Sequence, residues 1–480
     1  MRTQSKISLI IIVLLILAGI AIAPWIDGML FKSNYYHFVQ ALETDKRVKI
    51  SILEYREGWM SSDAKISIMP TVDLMSGLPI SPNTPTTGAY ITPTIILDQH
   101  ISHGPLVNDP ITHQYTLGLA SIESNMHLPA TVEAVLLGNQ ANQNGVISIY
   151  GLATLGGDYL NQIKTPIFNI NIPSLGSIVW QGLSGYINFH MEGKHIQNIK
   201  SDITIGAVNA RSIAGIFVTE NADVKSDMTL DKTGLWNGSY AFTAPKISVT
   251  DESDVYSVKN VSFSTQFGVT STNLYATQLH ILLDQLNSPH FSINQQSHIN
   301  LSIENLNADA LLTFINEARQ NTSATSEDTQ RFESLLPPII STTTLIKHDS
   351  AINTSWGRLI ESSQASWPIA VKTVDDIWKN VSAKADIRIS VSLVNQLIDL
   401  SVPPAPPVAK PVTDTNSTVP SQNVEQPVAK PTSPADVMKQ HVADLIKQGY
   451  IIVDKDDYVT SITFLQGKLK ANGLDVKGIH

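Results

Sequence analysis

Apolar and polar residues alternate with a period of two along most of the chain between residue 47 and about residue 305. Gly, Asn, Asp and Pro interrupt the alternation at short intervals, as expected for turns between strands. Each such strand buries one face and leaves the other in water, and many in succession favour an antiparallel sheet. Clear examples are Val48–Tyr55, Ala64–Ile68, Phe168–Ile172, Gly185–Met191, Ile203–Val208, Ile213–Val218, Ala241–Val249 and His290–Ile303.

Helical periodicity is confined to a few segments. A short amphipathic helix is predicted at Tyr35–Leu42. A helical hairpin is predicted later, with Asn307 as the N-cap of its first arm, Ala308–Ala318. Its second arm, Ser326–Leu336, should end at the proline pair that begins at Pro337. We therefore expect a mainly β (α+β) protein, in which a large antiparallel sheet that could curve into a groove carries a few helices.

The N-terminal region contrasts with this alternation because it is apolar almost throughout. Residues 7–26 form a run of about 20 residues, enough to cross roughly 30 Å of hydrocarbon as a helix. Arg2 and Lys6 precede the run, and the positive-inside rule then places the N-terminus in the cytoplasm and the bulk of the chain outside it. Residues 1–26 are therefore predicted to be a transmembrane anchor.

A cleaved signal peptide is the alternative interpretation of the same residues. Ala21-Ile22-Ala23 resembles the A-x-A pattern of a cleavage site. Pro24 would directly follow the cut, and its fixed φ and missing N–H make that bond a poor substrate. The apolar run is also longer than the core of a usual signal peptide, so we expect the anchor to remain uncleaved.

The exported part divides at a proline-rich tract. Residues 27–401 form the predicted β-rich ectodomain, with the helical insertion near residues 307–340. Residues 402–434 contain the pentapeptide PVAKP twice, and such segments stay extended without a packed core. Residues 435–480 predict one helix and short strands, which bury too little surface alone and should dock on the main sheet.

Composition restricts the function. The 480 residues include no cysteine, which excludes disulfides, thiolate metal sites and cysteine nucleophiles. A net charge of −10 offers no basic footprint for nucleic acid, so no nucleic-acid partner is expected. Only 15% of the residues are charged, which is consistent with an uncharged anchor and with strand faces covered by Ser, Thr and Asn.

Two short motifs are the candidate site. In Tyr55-Arg56-Glu57-Gly58-Trp59-Met60-Ser61-Ser62, the glycine predicts a bulge or a close backbone approach, with Trp59 and Met60 filling core. The functional alternative is that these two side chains contact an apolar ligand. The second motif, His103-Gly104-Pro105, predicts a structural turn after an apolar strand.

A metal site near the second motif is the less favoured interpretation. His100 and His103 point to opposite faces of a regular strand, so they cannot converge with His113 unless the strand bulges. The serine at Gly182-Leu183-Ser184-Gly185 lacks the spacing of a nucleophile elbow. The acidic run Asp454–Asp457 lacks the Gly and Glu of a calcium loop. The sequence therefore assigns no catalytic residue, cofactor or metal ligand, and we expect a protein that is not an enzyme.

Both motifs, in this order after an anchor, resemble those of the YdgA-like proteins, a bacterial family of unknown function. The matching residues are Tyr55, Gly58 and Ser62 of the first motif, with Trp59 between them, and His103, Gly104 and Pro105 of the second. Glu57 and Met60 depart from the family pattern, which often has Arg and an aromatic residue there. The resemblance implies a periplasmic protein anchored in the inner membrane of Gram-negative bacteria, with no established enzymatic activity.

These observations favour an envelope protein that is attached to the inner membrane through residues 7–26 and acts by binding or scaffolding. A sharper alternative is a lipid-binding or lipid-transfer protein, because alternating strands offer one continuous apolar face. An enzyme acting on cell-wall or lipid substrates is another alternative, and a module whose PVAKP repeats reach a partner is a third. Lipid or other envelope components are the expected partners.

Overall fold

The computed structural model describes residues 24, 26–33, 35–37, 39–40, 48–70, 94–129, 133–134, 145–172, 176–193, 195–251, 254–271, 273–289, 291–320, 326–401 and 434–476. Residues 1–23 of the predicted anchor and residues 402–433 of the proline-rich tract lie outside the described residues. Within the described residues, no helix has the length and apolar character needed to cross a membrane.

Strands make up most of the described chain. They are β1 (Val48–Glu57), β2 (Ser61–Pro70), β3 (Ile95–His103), β4 (Leu106–Asn108), β5 (Tyr115–Leu117), β6 (Ala120–His127), β7 (Ile147–Ala153), β8 (Asp158–Thr165), β9 (Phe168–Ile172), β10 (Gly176–Trp180), β11 (Leu183–Glu192), β12 (His195–Ile205), β13 (Val208–Ser212), β14 (Gly215–Thr219), β15 (Ala222–Leu230), β16 (Trp236–Asp251), β17 (Asp254–Ser271), β18 (Leu274–Asn287), β19 (Ser292–Ile293), β20 (Ser297–Asn307), β21 (Leu345–Thr354), β22 (Gly357–Ser366), β23 (Ser382–Ser390), β24 (Ile452–Asp454), β25 (Asp457–Leu465), β26 (Lys468–Ala471) and β27 (Leu474–Asp475).

The helices interrupt this series at a few points. They are α1 (helical at the described residues between 24 and 40), α2 (Ala308–Gln320), α3 (Ser326–Ile339), α4 (Val374–Asn380), α5 (Val391–Ser401) and α6 (Pro434–Lys447). The mainly β composition and the large antiparallel sheet expected from the alternation are confirmed.

The main sheet is one antiparallel meander, in which each long strand pairs with the next long strand of the chain. Its path runs β1-β2-β3-β6-β7-β8-β11-β12-β15-β16-β17-β18-β20-β21-β22-β23-β25-β26-β27. Strands β9, β10, β13 and β14 continue β8, β11, β12 and β15 beyond a break and pair among themselves and with β16. Strands β4 and β5 form a separate small hairpin.

A crease crosses six neighbouring strands where those breaks align. The backbone N–H of Gly206 donates to the carbonyl of Gly182 at 2.6 Å, and the backbone N–H of Ala207 donates to Asn221 Oδ1 at 2.9 Å. The residues on this line are Pro166, Gly182, Gly206, Asn221, Pro245 and Asn260, the last with φ of 51°. Because prolines and positive φ angles break the ladder, the predicted strand Ile203–Val208 is wrong: β12 ends at Ile205 and β13 begins at Val208.

Two further strand predictions miss a turn. Ile213, predicted inside a strand, lies in the tight turn between β13 and β14 and is 89% exposed. The Ser212 hydroxyl accepts the N–H of Ala214 at 3.1 Å and so closes that turn. The predicted strand His290–Ile303 is also interrupted, because the short β19 pairs with both β18 and β21 before β20 begins at Ser297.

The predicted helical hairpin is present as α2 and α3. The side-chain oxygen of Asn307 accepts the N–H of Ala310 at 3.1 Å, which confirms the predicted N-cap. The second arm is longer than predicted, since α3 continues through Pro337 and Pro338 to Ile339. Proline has a helical φ, and its missing N–H here affects only the final turn of the helix.

The C-terminal unit pairs directly with the main sheet. Strand β25 pairs with β23 along nine residues, from Asp457↔Ser390 to Leu465↔Ser382. Helix α6 lies beside α5, and the Lys439 ammonium is 2.8 Å from the Asp399 carboxylate. Gly449, with φ of 79°, ends α6, as its sequence position predicts.

Candidate functional site

The structure brings the two sequence motifs together at one end of the first strands. Met60, in the turn between β1 and β2, accepts the backbone N–H of His103 at 2.7 Å. Ser62 of β2 pairs with Ile101 of β3, two residues before His103. The turn itself is closed by the N–H of Gly58, which donates to the Ser61 carbonyl at 2.8 Å. A Cβ at Gly58 would lie 2.5 Å from that oxygen, so the close backbone approach expected at this glycine is observed.

The core position expected for Trp59 and Met60 is wrong. Their exposed fractions are 62% and 66%. Both occupy the turn between β1 and β2, beyond the last paired residues, Glu57 and Ser62. A side chain at the end of a sheet has no second layer opposite it, and these two therefore project away from the core.

Helix α1 covers the face of β2 and β3 on which His103 lies. A Cβ placed at Gly28 would stand only 2.1 Å from the imidazole Nδ1 of His103. The Phe31 ring lies next to it, with ring centroids 6.3 Å apart. Pro24, the first described residue of α1, would be 3.5 Å from a Cβ on Gly104. The turn at His103, Gly104 and Pro105 therefore forms part of the surface on which α1 packs.

A regular stripe along α1 makes these contacts. Pro24, Gly28, Phe31, Tyr35 and Val39 are all buried, at the spacing of one helical face. From the sequence, Tyr35 opens the predicted short helix and Pro24 bears on signal-peptide cleavage, but the stripe as a whole was not recognised. Its periodicity could have shown that one helical face includes Pro24 and packs on the sheet.

Aromatic contacts fasten the next turns of α1 to β1. The ring centroids of Tyr35 and Tyr55 are 5.7 Å apart, and those of Tyr36 and Tyr55 are 5.9 Å apart. The Lys32 ammonium lies 5.5 Å above the Tyr55 ring and 2.7 Å from the Glu57 carboxylate. The first motif therefore supplies side chains that hold the helix.

Several polar atoms are buried beneath α1. Within the described residues, no hydrogen-bond partner is present for Asp27 Oδ2 or for either ring nitrogen of His103. Burial lowers the pKa of His103 and raises the pKa values of Asp27 and Tyr55, and the Glu57 carboxylate partly opposes the shift at His103. The pKa shifts of His103 and Asp27 favour a neutral imidazole and a neutral carboxyl group.

The other histidines lie apart from this cluster. His100 points to the opposite face of β3, where its Nδ1 is 2.8 Å from Asp63 Oδ1. His113, with φ of 58°, lies in the exposed loop between β4 and β5. In the described parts of the chain, no three His, Asp or Glu side chains lie close enough together to share a metal ion.

Gly104 and Pro105 form the predicted turn and lead into the β4–β5 hairpin. Gly104 has a φ of 134°, which few residues with a Cβ adopt. The Pro105 carbonyl accepts the N–H of Gly118 at 3.1 Å, and this bond joins the two ends of the β4–β5 hairpin.

A second candidate feature is an apolar row that crosses the central strands. Val224, Phe242, Phe263, Ile281 and Ile299 are direct partners on β15, β16, β17, β18 and β20. All five side chains are half-buried. We call these five residues the central row. A second row, four residues away along each strand, continues the same apolar face with Met228, Phe267 and Ile303.

The opposite face of these strands is polar. It carries ion pairs such as Lys200–Asp227 at 2.9 Å and Lys347–Glu304 at 2.9 Å. The closely packed apolar clusters lie instead toward the two ends of the meander. One contains Phe31 and Ile101 beneath α1, and another contains Trp367 and Val381 beside α4. The central sheet is therefore amphipathic, and its apolar face is less completely covered than its ends.

A family model described as "Bacterial protein of unknown function (DUF945)" matches residues 5–477. Because the match spans nearly the whole chain, the protein belongs to this family. No curated protein and no solved structure matches the chain.

Proposed function

We propose that this member of the DUF945 family is a membrane-anchored envelope protein that binds lipid acyl chains along the apolar face of its sheet. The observation that carries the proposal is the central row, five apolar side chains in direct register that are half-buried rather than buried. The proposal makes the protein a binding protein and not an enzyme.

The length of the central row fits an extended apolar ligand. Neighbouring strands lie roughly 4.8 Å apart, so five strands place the ends of the row about 19 Å from one another. An acyl chain lying across the strands would contact each side chain in turn. Each buried methylene contributes about 0.8 kcal/mol, so even a partly covered chain would gain several kcal/mol.

The N-terminal sequence and the family resemblance support the proposed cellular location. The apolar run at residues 7–26, with Arg2 and Lys6 before it, supports an inner-membrane anchor with the bulk of the chain in the periplasm. The resemblance to YdgA-like proteins supports the same location. A protein held at the inner membrane has continuous access to acyl chains, which makes lipid the ligand of choice.

Lipid content of the purified protein tests the proposal. The full chain is extracted from membranes in mild detergent, and bound phospholipid is measured by mass spectrometry. Displacement of a fluorescent fatty acid supplies a second readout. Phe242→Gln should lower bound lipid several-fold, because it places an amide in the middle of the apolar row.

Thr243→Gln is the matched control, because Thr243 is exposed on the opposite face of the same strand. It should leave lipid binding unchanged, and circular dichroism should show the same strand content in both variants. Equal lipid content in wild type and both variants, or none in the wild type, would overturn the proposal.

A further inference from the structure

Large apolar side chains are exposed together where the first strands of the meander end. They lie in the β1–β2 turn, on the β4–β5 hairpin and in the β7–β8 turn, which are adjacent in the meander. We call this set the apolar edge: Trp59 (62% exposed), Met60 (66%), Leu106 (60%), Tyr115 (76%), Leu117 (68%) and Leu155 (62%).

The β4–β5 hairpin separates its two faces clearly. Leu106 pairs with Leu117, and Tyr115 lies on the same exposed face. On the other face Val107 is 2% exposed and lies against Gly118, where an added Cβ would be 3.1 Å from it. The outer face of the hairpin therefore exposes three large apolar side chains, while its inner face is buried through Val107.

The hairpin is held in a defined position. Leu119, just after it, donates its N–H to the Ala153 carbonyl at 2.8 Å, next to the β7–β8 turn. At the tip of the hairpin, Asp109 accepts the N–H of Ile111 and the hydroxyl of Thr112 at 2.8 and 2.7 Å. The exposed side chains are thus presented by ordered backbone.

The apolar edge lies where the predicted anchor reaches the sheet. Pro24 belongs to the last residues of the apolar run at residues 7–26, and it lies 3.5 Å from the position of a Cβ on Gly104, at the base of the hairpin. The exposed faces of α1 next to it carry Ile26, Met29 and Leu30. The chain that would leave the bilayer therefore arrives beside the apolar edge.

We infer that the apolar edge lies in the interfacial region of the bilayer that contains the anchor, so that the protein has a second contact with the membrane. The inference rests on the anchor of the proposed function. Trp and Tyr favour this interface because they combine an apolar body with a polar group, and exposed apolar patches of this kind mark membrane contacts.

The apolar edge should contact the bilayer through apolar side chains rather than through charge. Residues 104–119 contain neither Lys nor Arg, so attraction to anionic headgroups contributes little there. Contact with the bilayer should accordingly occur on zwitterionic lipid and persist at high salt. It would also hold the first strands of the meander at the membrane surface, where acyl chains can reach the apolar face.

Single-cysteine labelling of the full chain tests the inference, because the natural sequence has no cysteine. Leu117→Cys and Tyr115→Cys are labelled with an environment-sensitive fluorophore and reconstituted into phosphatidylcholine vesicles. Ile213→Cys is the matched control, because Ile213 is 89% exposed and lies in the β13–β14 turn, at the opposite end of the strands from the apolar edge. Vesicle flotation reports membrane attachment, and quenching by lipids with a spin label on the acyl chain reports depth.

We expect the protein to float with the vesicles, and labels at 115 and 117 to emit at shorter wavelength and to be quenched at least twofold more than the label at 213. Flotation with equal quenching at all three positions would overturn the membrane contact of the apolar edge while leaving the anchor intact. Failure of the full chain to float would overturn the anchor and the second contact together.

Discussion

Gly28 and His103 are packed so closely that a Cβ on the glycine would stand 2.1 Å from the imidazole Nδ1. The contact joins α1 to the end of β3 through two residues that are 75 positions apart in the sequence. It explains why a glycine occupies a helical position, where glycine usually costs about 1 kcal/mol relative to alanine.

Gly28→Ala should therefore destabilise the protein, although the same change in an exposed helix would stabilise it. The added methyl group forces the imidazole or the helix to move, and overpacking of this kind costs about 1–3 kcal/mol. Chemical denaturation followed by circular dichroism measures the change. Ser33→Ala, at an exposed position of the same helix, should change stability by less than about 0.5 kcal/mol. An increase in stability for Gly28→Ala would show that the contact is looser than the structure indicates.

Stability should fall as the pH is lowered through the range in which histidine titrates. Burial lowers the pKa of His103 from its ordinary value of 6.5, so the unfolded chain binds a proton more readily than the folded chain. Below about pH 6.5 this difference favours unfolding, and the loss grows until the pH reaches the folded pKa.

Thermal unfolding at several pH values checks this dependence. His103→Gln should flatten the slope between about pH 7 and pH 5, since glutamine does not titrate. Asp27 has the opposite effect on stability as the pH falls. Burial raises its pKa, so its protonation favours the folded state. A slope that is the same in wild type and His103→Gln would contradict the assignment to His103.

Asp457 should be important for holding the C-terminal strands on the sheet. Its Oδ2 accepts from Arg358 Nη2 at 2.9 Å and from Arg388 Nη1 at 3.1 Å, and its Oδ1 accepts from Ser390 at 3.0 Å. Hydrogen bonds from Arg358 and then Arg388 lower the pKa of Asp457, so the stability it contributes is present above about pH 4 and is lost as the pH falls through the folded pKa.

Asp457→Asn should lower the melting temperature near neutral pH, because it removes the charge that pairs with two guanidinium groups. Asp254→Asn, which changes an exposed carboxylate at the start of β17, is the control and should have little effect. Differential scanning calorimetry measures both. If the two variants melt alike, the arginine contacts of Asp457 contribute little to the docking of β25.

Local sequence accounts for much of the sheet. Phe168–Ile172 was predicted with its observed bounds, because β-branched and aromatic residues alternate there between clear turn signals. Asn307 was recognisable as an N-cap, since the capping bond lies within three residues of sequence. Such features depend on neighbours along the chain, and the alternation itself assigns each residue of a strand to one face.

Features that depend on distant residues were missed. The crease requires Pro166, Gly182, Gly206, Asn221 and Pro245 to align across strands, and their alignment follows from pairing register rather than from any single segment. Trp59 was expected in the core because Gly58 was interpreted as a bulge or close backbone approach within a strand. Its exposure follows from its place beyond the end of the β1–β2 ladder.

The sequence by itself determined the mainly β character, the two motifs and the apolar run at the N-terminus, because these follow from local alternation and composition. Tertiary structure alone decided that α1 rests on His103, that both motifs meet beneath it, and that Val224 to Ile299 form one row across five strands. Alternation specifies which side chains share a face of their own strand. Which strands become neighbours, and what covers that face, depends on contacts between residues far apart in the chain.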